Sequence, residues 1–391
     1  MIKKIFVIFL YFLITVYTVE ILLYFYIPKE QKILANILPT RIELAKDKNI
    51  KFDIRSKESA FIEESKKNPN LFTSFNYSAA FSTLTLFKEA QKNNELIPFR
   101  GPLNKLTLSC AEDLQYKFIR NDKYGFKNPN DIYEKEIKIF LIGDSFAEGL
   151  CQNDENDIAG HLRSINLNTA NFGVSGTGPL ISLAVFSEYA SVFKPETVIY
   201  TYFEGNDITD LNWEKKNTNL RKYLKPGYNL NYINRYSEIE DFLDKSNLRL
   251  AQLIRKKNEE IQEQSNFFKR ALQDIMELTL IKSILRNYVS NDDEVFDEEL
   301  FFSIIDKMNL ETQRWDGKFI FLYIPSWSRY FTKFNDNKIF FSQKNKIIQG
   351  LKNRNIDFID LESFFSKEKN KEIYYPLGYL GHFNSKGYEV I

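Results

Sequence analysis

The stretch FLIGDSFAEGL occupies residues 140–150. An apolar run stops at Gly143 and is followed at once by an acid, Asp144, and a hydroxyl, Ser145. Two readings are open for that Ser. It can cap a following helix, a role in which Ser and Asp are common. It can also be a nucleophile mounted where a buried strand ends.

Four further runs decide the fold class around it. IKIFLIG (137–143) is followed by NTANFG (168–173), TVIYTYF (197–203), KFIFLYIP (318–325) and IDFIDLE (356–362). Helix-length segments such as DIAGHLRSI and LISLAVFSEYASVF lie between them. Apolar runs alternating with helices predict an α/β fold, a three-layer α/β/α arrangement around a five-stranded parallel sheet covered on both faces. A long gap separates the third run from the fourth. Within it Ile239, Phe242, Leu243, Leu250, Leu253, Ile254, Leu272, Ile275 and Met276 fall at helical spacing. A helical insertion over 230–315 is expected, either as core helices or as a lid.

The chain has 391 residues with 53 Lys+Arg against 52 Asp+Glu, so no charge imbalance calls for nucleic acid. It has two His, His161 and His382, and two Cys, Cys110 and Cys151. That scarcity argues against a Cys/His zinc site, and no metal or cofactor is expected. GVSGTG lacks the order of a dinucleotide loop and the Lys of a P-loop. DENDIAG (154–160) is calcium-like in flavour but puts Ile158 where an oxygen ligand is needed.

The N-terminus begins MIKK and continues through about 22 mainly apolar residues, 5–26, enough for a bilayer span. Lys3 and Lys4 favour the cytoplasmic side for that end, and Glu20 is awkward inside the run. The expectation is an uncleaved anchor over 1–27, a cleaved signal being the rival. A stalk and N-terminal extension (28–135) and a main domain (136–391) would then lie outside the cytoplasm, in the periplasm or beyond the cell. There Cys110 and Cys151 are expected to pair, two buried thiols being the alternative.

In an open parallel sheet, ligands bind beyond the carboxyl ends of the strands. The tails following the runs are GDS (143–145), NFGVSGTGP (171–179), EGND (204–207) and, near the end of the chain, GHFNSKGY (381–388). They carry a hydroxyl, amide donors and an imidazole, the groups that acyl transfer needs.

With these four blocks in order, the chain from about residue 136 to 391 resembles the SGNH, or GDSL-type, hydrolases. The resemblance implies the flavodoxin-like variety of the expected fold. It implies Ser145 as nucleophile and His382 as base. It also implies an oxyanion hole from Ser145, Gly176 and Asn206, with Asp144 and Asp207 in support. Glu204 stands where the family usually has Gly. The family's Asp, two or three residues before the His, is replaced by Leu380 or Tyr379. A backbone carbonyl or a distant acid such as Asp360 would have to orient the imidazole.

Arg329 is read as a solvated residue or a contact for an acidic substrate, and His161 as structural. The implied function is an ester hydrolase or acyltransferase acting on an acylated small molecule, envelope glycan or lipid. The alternative is a catalytically weak or inactive binding or assembly protein that kept the fold.

Overall fold

The computed structural model describes residues 2–26, 37–73, 99–262, 276, 278, 281, 296–331 and 336–391. Leu272 and Ile275 of the predicted insertion lie outside these residues. The chain divides into two compact units. The first comprises Met1–Glu58 and Gln252–Val295, the second Ser59–Ala251 and Phe296–Ile391.

In the first unit a 25-residue helix runs Ile2–Tyr26. Among the described residues no helix is long and apolar enough to cross a membrane. Glu20 is buried and accepts the Ile281 N–H at 2.9 Å, so its carboxylate is paired with a backbone donor.

The second unit holds both sheets. A small one has the order β1 (Phe72–Thr73), β2 (Leu106–Leu108), β3 (Phe118–Arg120). β2 and β3 form an antiparallel hairpin. Residues 61–135, read from sequence as irregular, thus contain a sheet of very short strands.

The large sheet contains β4 (Ile139–Gly143), β5 (Thr169–Asn171), β6 (Thr197–Phe203), β7 (Lys318–Ile324) and β8 (Asp357–Asp360). Its order is β5-β4-β6-β7-β8 and every neighbouring pair is parallel. This is the doubly wound order whose switch point lies beside the first strand, here β4. All five residues of β4 are buried, because helices cover both faces. That is why the strand reads as an unbroken apolar run.

The core is heavily aromatic. Phe140 of β4 stacks on Phe172 at 4.3 Å between centroids, and Phe126 from the N-terminal segment lies 4.3 Å from Phe172. Such rings bury large areas at few rotatable bonds. The long helix Tyr236–Gln262 begins in this unit and buries Ile239 and Leu243 in the same core. The start of the insertion is therefore packed core helix.

Candidate active site

β4 ends at Gly143, whose φ is +146°. A Cβ there would strike the Thr201 side chain and carbonyl on β6. Only Gly lets the chain turn this close to its neighbour. Asp144 follows as the N-cap of the short helix Ser145–Glu148, its carboxylate accepting the Phe146 N–H at 2.9 Å. The two readings of GDS are thereby separated: Asp144 is the cap, and Ser145 is the first helical residue. Burial raises the Asp144 carboxyl to about 7, against the Phe146 N–H bond and the His382 charge, which act to lower it.

The second tail, 173–178, is braced from two sides. Glu148, on the Ser145 helix, accepts the Ser175 N–H at 2.7 Å and the Ser175 hydroxyl. Glu214, at the end of the helix Asp207–Glu214, accepts the N–H groups of Gly178 at 2.5 Å, Leu180 at 2.9 Å and Ile181 at 3.2 Å. These cap the helix Pro179–Val185. Gly176 sits between the two braces with φ +69°, a conformation that favours Gly. Burial raises the Glu214 carboxyl to about 8.

The third tail presents Asn206 as N-cap residue of the helix Asp207–Glu214. An Asn amide has two N–H donors, and one goes to Asp210 Oδ2 at 2.9 Å. Asp207 is buried, accepting from the Tyr200 hydroxyl at 3.1 Å and the Phe203 N–H at 3.2 Å. Its carboxyl is raised well above the usual range, first by burial and then by Asp144 and Asp210.

Glu204 is turned inward. It takes the Arg329 guanidinium at 2.5–3.0 Å, the Ser326 N–H at 2.7 Å and the Tyr323 hydroxyl. Both side chains are 1% exposed, so Arg329 is neither solvated nor available to substrate. The pair ties the Asn206 loop to the segment after β7.

His382 completes the site. Its Nε2 lies 2.8 Å from Ser145 Oγ. Phe146 lies 4.9 Å from the imidazole between centroids. The next residue, Phe383, is fully buried, and its carbonyl accepts from Gln152 Nε2 at 3.2 Å. His161, the other histidine, bonds the Ser385 carbonyl at 3.1 Å on the same C-terminal stretch. Asp157 of the calcium-like stretch caps the helix Ile158–Ser164 and pairs with buried Lys127 at 2.9 Å.

Asp360, named above as one example of a distant orienting acid, is engaged elsewhere. Asp360 pairs with Lys344 at 2.8 Å and accepts the Glu362 N–H. The residue beside the imidazole is Glu112, at the tip of the β2–β3 hairpin. Its Oε2 lies 2.8 Å from His382 Nδ1 and also accepts the His382 backbone N–H at 2.8 Å. A carboxylate acceptor puts the proton on Nδ1 and leaves the Nε2 lone pair facing the Ser145 hydroxyl.

Cys110, two residues before Glu112, is disulfide-bonded to Cys151, six residues after Ser145, with Cα atoms 5.1 Å apart. Ligand-type atoms of Glu112, Cys151 and His382 lie within 4.8 Å of one another. With the sulfur held in a disulfide, the trio offers no thiolate to a metal.

One solved structure aligns with this chain. It is titled "Structure of a putative lipolytic protein of G-D-S-L family from Desulfitobacterium hafniense DCB-2". The identity is 14% and the TM-score 0.35, over 65% of this chain and 94% of that one. No family model matches the sequence, and no curated protein does.

Proposed function

We propose that this protein is a serine-dependent ester hydrolase or acyltransferase. The observation that carries the reading is the 2.8 Å contact between Ser145 Oγ and His382 Nε2 beyond the carboxyl ends of the sheet strands. In this reading the Ser145 proton moves to Nε2 as Oγ attacks an acyl carbonyl carbon. The carbonyl π pair becomes an oxyanion, held by the backbone N–H groups of Ser145 and Gly176 and the second N–H of Asn206. Collapse breaks the ester C–O bond, and the leaving alcohol takes the proton from Nε2. A water or an acceptor hydroxyl then repeats the sequence in reverse on the acyl-enzyme.

The substrate class we propose is an acylated envelope glycan or lipid. The support is the mainly apolar run of residues 5–26 in the sequence, preceded by Lys3 and Lys4, which we read as an anchor that leaves the main domain outside the cytoplasm. A disulfide next to the site suits that compartment.

A fluorophosphonate probe tests the reaction without a substrate guess. The wild-type protein should label and should cleave short-chain esters. Ser145→Ala should abolish both, and His382→Ala should nearly do so, since an unassisted hydroxyl is a poor nucleophile. A wild-type protein that neither labels nor cleaves any ester overturns the reading. A topology reporter fused after Ile391 tests the anchor, and a cytoplasmic signal would refute it.

A further inference from the structure

We propose that Glu112, delivered by the β2–β3 hairpin from outside the parallel sheet, is the positioning residue for the His382 imidazole. This inference rests on the acyl-transfer reading and assigns the carboxylate that the residues before His382 lack.

Three observations converge. Glu112 Oε2 binds both Nδ1 and the backbone N–H of the same residue, His382, at 2.8 Å each. One oxygen thus holds the ring and the loop that carries it. The pair is largely screened from water, the side chains being 16% and 19% exposed. Finally, Glu112 is built in rather than swinging on a loose loop. The hairpin ladder continues past β2 and β3 through Ser109 N–H to Lys117 O at 2.9 Å and Lys117 N–H to Cys110 O at 3.1 Å. The Cys110–Cys151 bridge then fastens that end to the segment following the Ser145 helix. Nucleophile and carboxylate are therefore referenced to each other through a covalent link, although Glu112 is 270 residues from His382.

In a Ser-His-acid arrangement the acid fixes the tautomer and stabilises the imidazolium formed during attack; it does not take the proton. Glu112→Gln keeps the shape but removes the charge and can present an amide N–H to Nδ1, favouring the wrong tautomer.

Two measurements on full-length protein test the assignment. The first is the rate of fluorophosphonate labelling against pH. Glu112→Gln should slow labelling roughly 10²- to 10⁴-fold and move the pH midpoint down, because a nearby anion favours the protonated ring. Glu112→Asp should recover a measurable part of the rate. The second is the far-downfield proton resonance of an imidazole N–H bonded to a carboxylate. It should be present at low pH in the wild type and in Ser145→Ala, and absent in Glu112→Gln.

If Glu112→Gln labels at the wild-type rate with the same pH midpoint, and the downfield proton persists, the positioning role is overturned while the acyl-transfer reading stands. If wild-type protein fails to label, the acyl-transfer reading falls and Glu112 loses its catalytic meaning. Loss of the proton in Glu112→Gln would then report only a structural contact.

Discussion

Replacing both bridge cysteines, Cys110→Ala with Cys151→Ala, should lower stability and slow labelling, for separate reasons. The bridge spans 41 residues of sequence. In the chain-entropy model, freeing a loop of that size in the unfolded state costs about 4 kcal/mol at 25 °C. That is below the usual 5–15 kcal/mol of a folded domain, so the variant should still fold. Its unfolded population should rise about a thousandfold, since every 1.4 kcal/mol is tenfold. Urea titration reads this as a fall in midpoint with a similar or larger slope, the unlinked chain being free to expand. The catalytic effect concerns the folded state. With the bridge gone, the hairpin end loses its covalent tie to the segment after the Ser145 helix, and the Glu112 contact to His382 becomes intermittent. Labelling in the absence of denaturant should therefore fall toward the Glu112→Gln rate, and dithiothreitol should do the same to wild-type protein. Two reactive thiols in unreduced wild-type protein would refute the bridge. A lower midpoint with unchanged labelling would retain the loop-entropy argument and refute the tether.

Three further outcomes are expected. Asn206→Ala should cut turnover about 10²–10³-fold with little change in KM, as steady-state ester hydrolysis would show, because the amide N–H that faces the reacting carbonyl stabilises the oxyanion more than the bound ester. Arg329→Met should lower stability by about 3–5 kcal/mol in denaturant titration, since it leaves Glu204 buried without its cation; adding Glu204→Gln should recover part of the loss. The Glu214 carboxyl is raised from an ordinary 4.5 to about 8. The folded state thus binds its proton more tightly than the unfolded state. Its contribution is full below about 4.5 and lost as pH rises through about 8. Melting temperature should fall with pH across that window and fall less in Glu214→Gln; an equal slope in the variant would remove Glu214 as the cause.

The large sheet was legible because parallel strands buried on both faces carry no polar alternation to blur them. IFLIG and TVIYTYF could hardly be anything else once helix-length segments lay between them. The small sheet was not legible. β1 has two residues and β2 and β3 have three each, too few for a period of two to register. Arg329 was misread for a related reason. A single Arg after a strand is usually solvated, and its burial depends on Glu204, 125 residues away, turning inward to meet it.

Glu112 was missed because a carboxylate's usefulness to an imidazole is a matter of place, not of sequence neighbourhood. The tails after the strand ends share an edge by topology alone, so the stretches that hold Ser145, Gly176 and Asn206 can be found by walking along the strands, and the SGNH resemblance is what picks Gly176 and Asn206 within them. A hairpin outside the sheet obeys no such rule. Yet one covalent constraint did carry the information. If Cys110 pairs with Cys151, whose Cα lies within a few ångströms, then residue 112 is held near the segment that follows Ser145. Disulfide Cα atoms sit about 4.4–6.8 Å apart, and two more extended residues reach at most roughly 7 Å further. Glu112 is the acid within that radius on the Cys110 side, and Asp113 lies one residue beyond it. The pairing of two cysteines, read as geometry rather than as stability, narrows the missing acid to neighbouring positions before any coordinates are known.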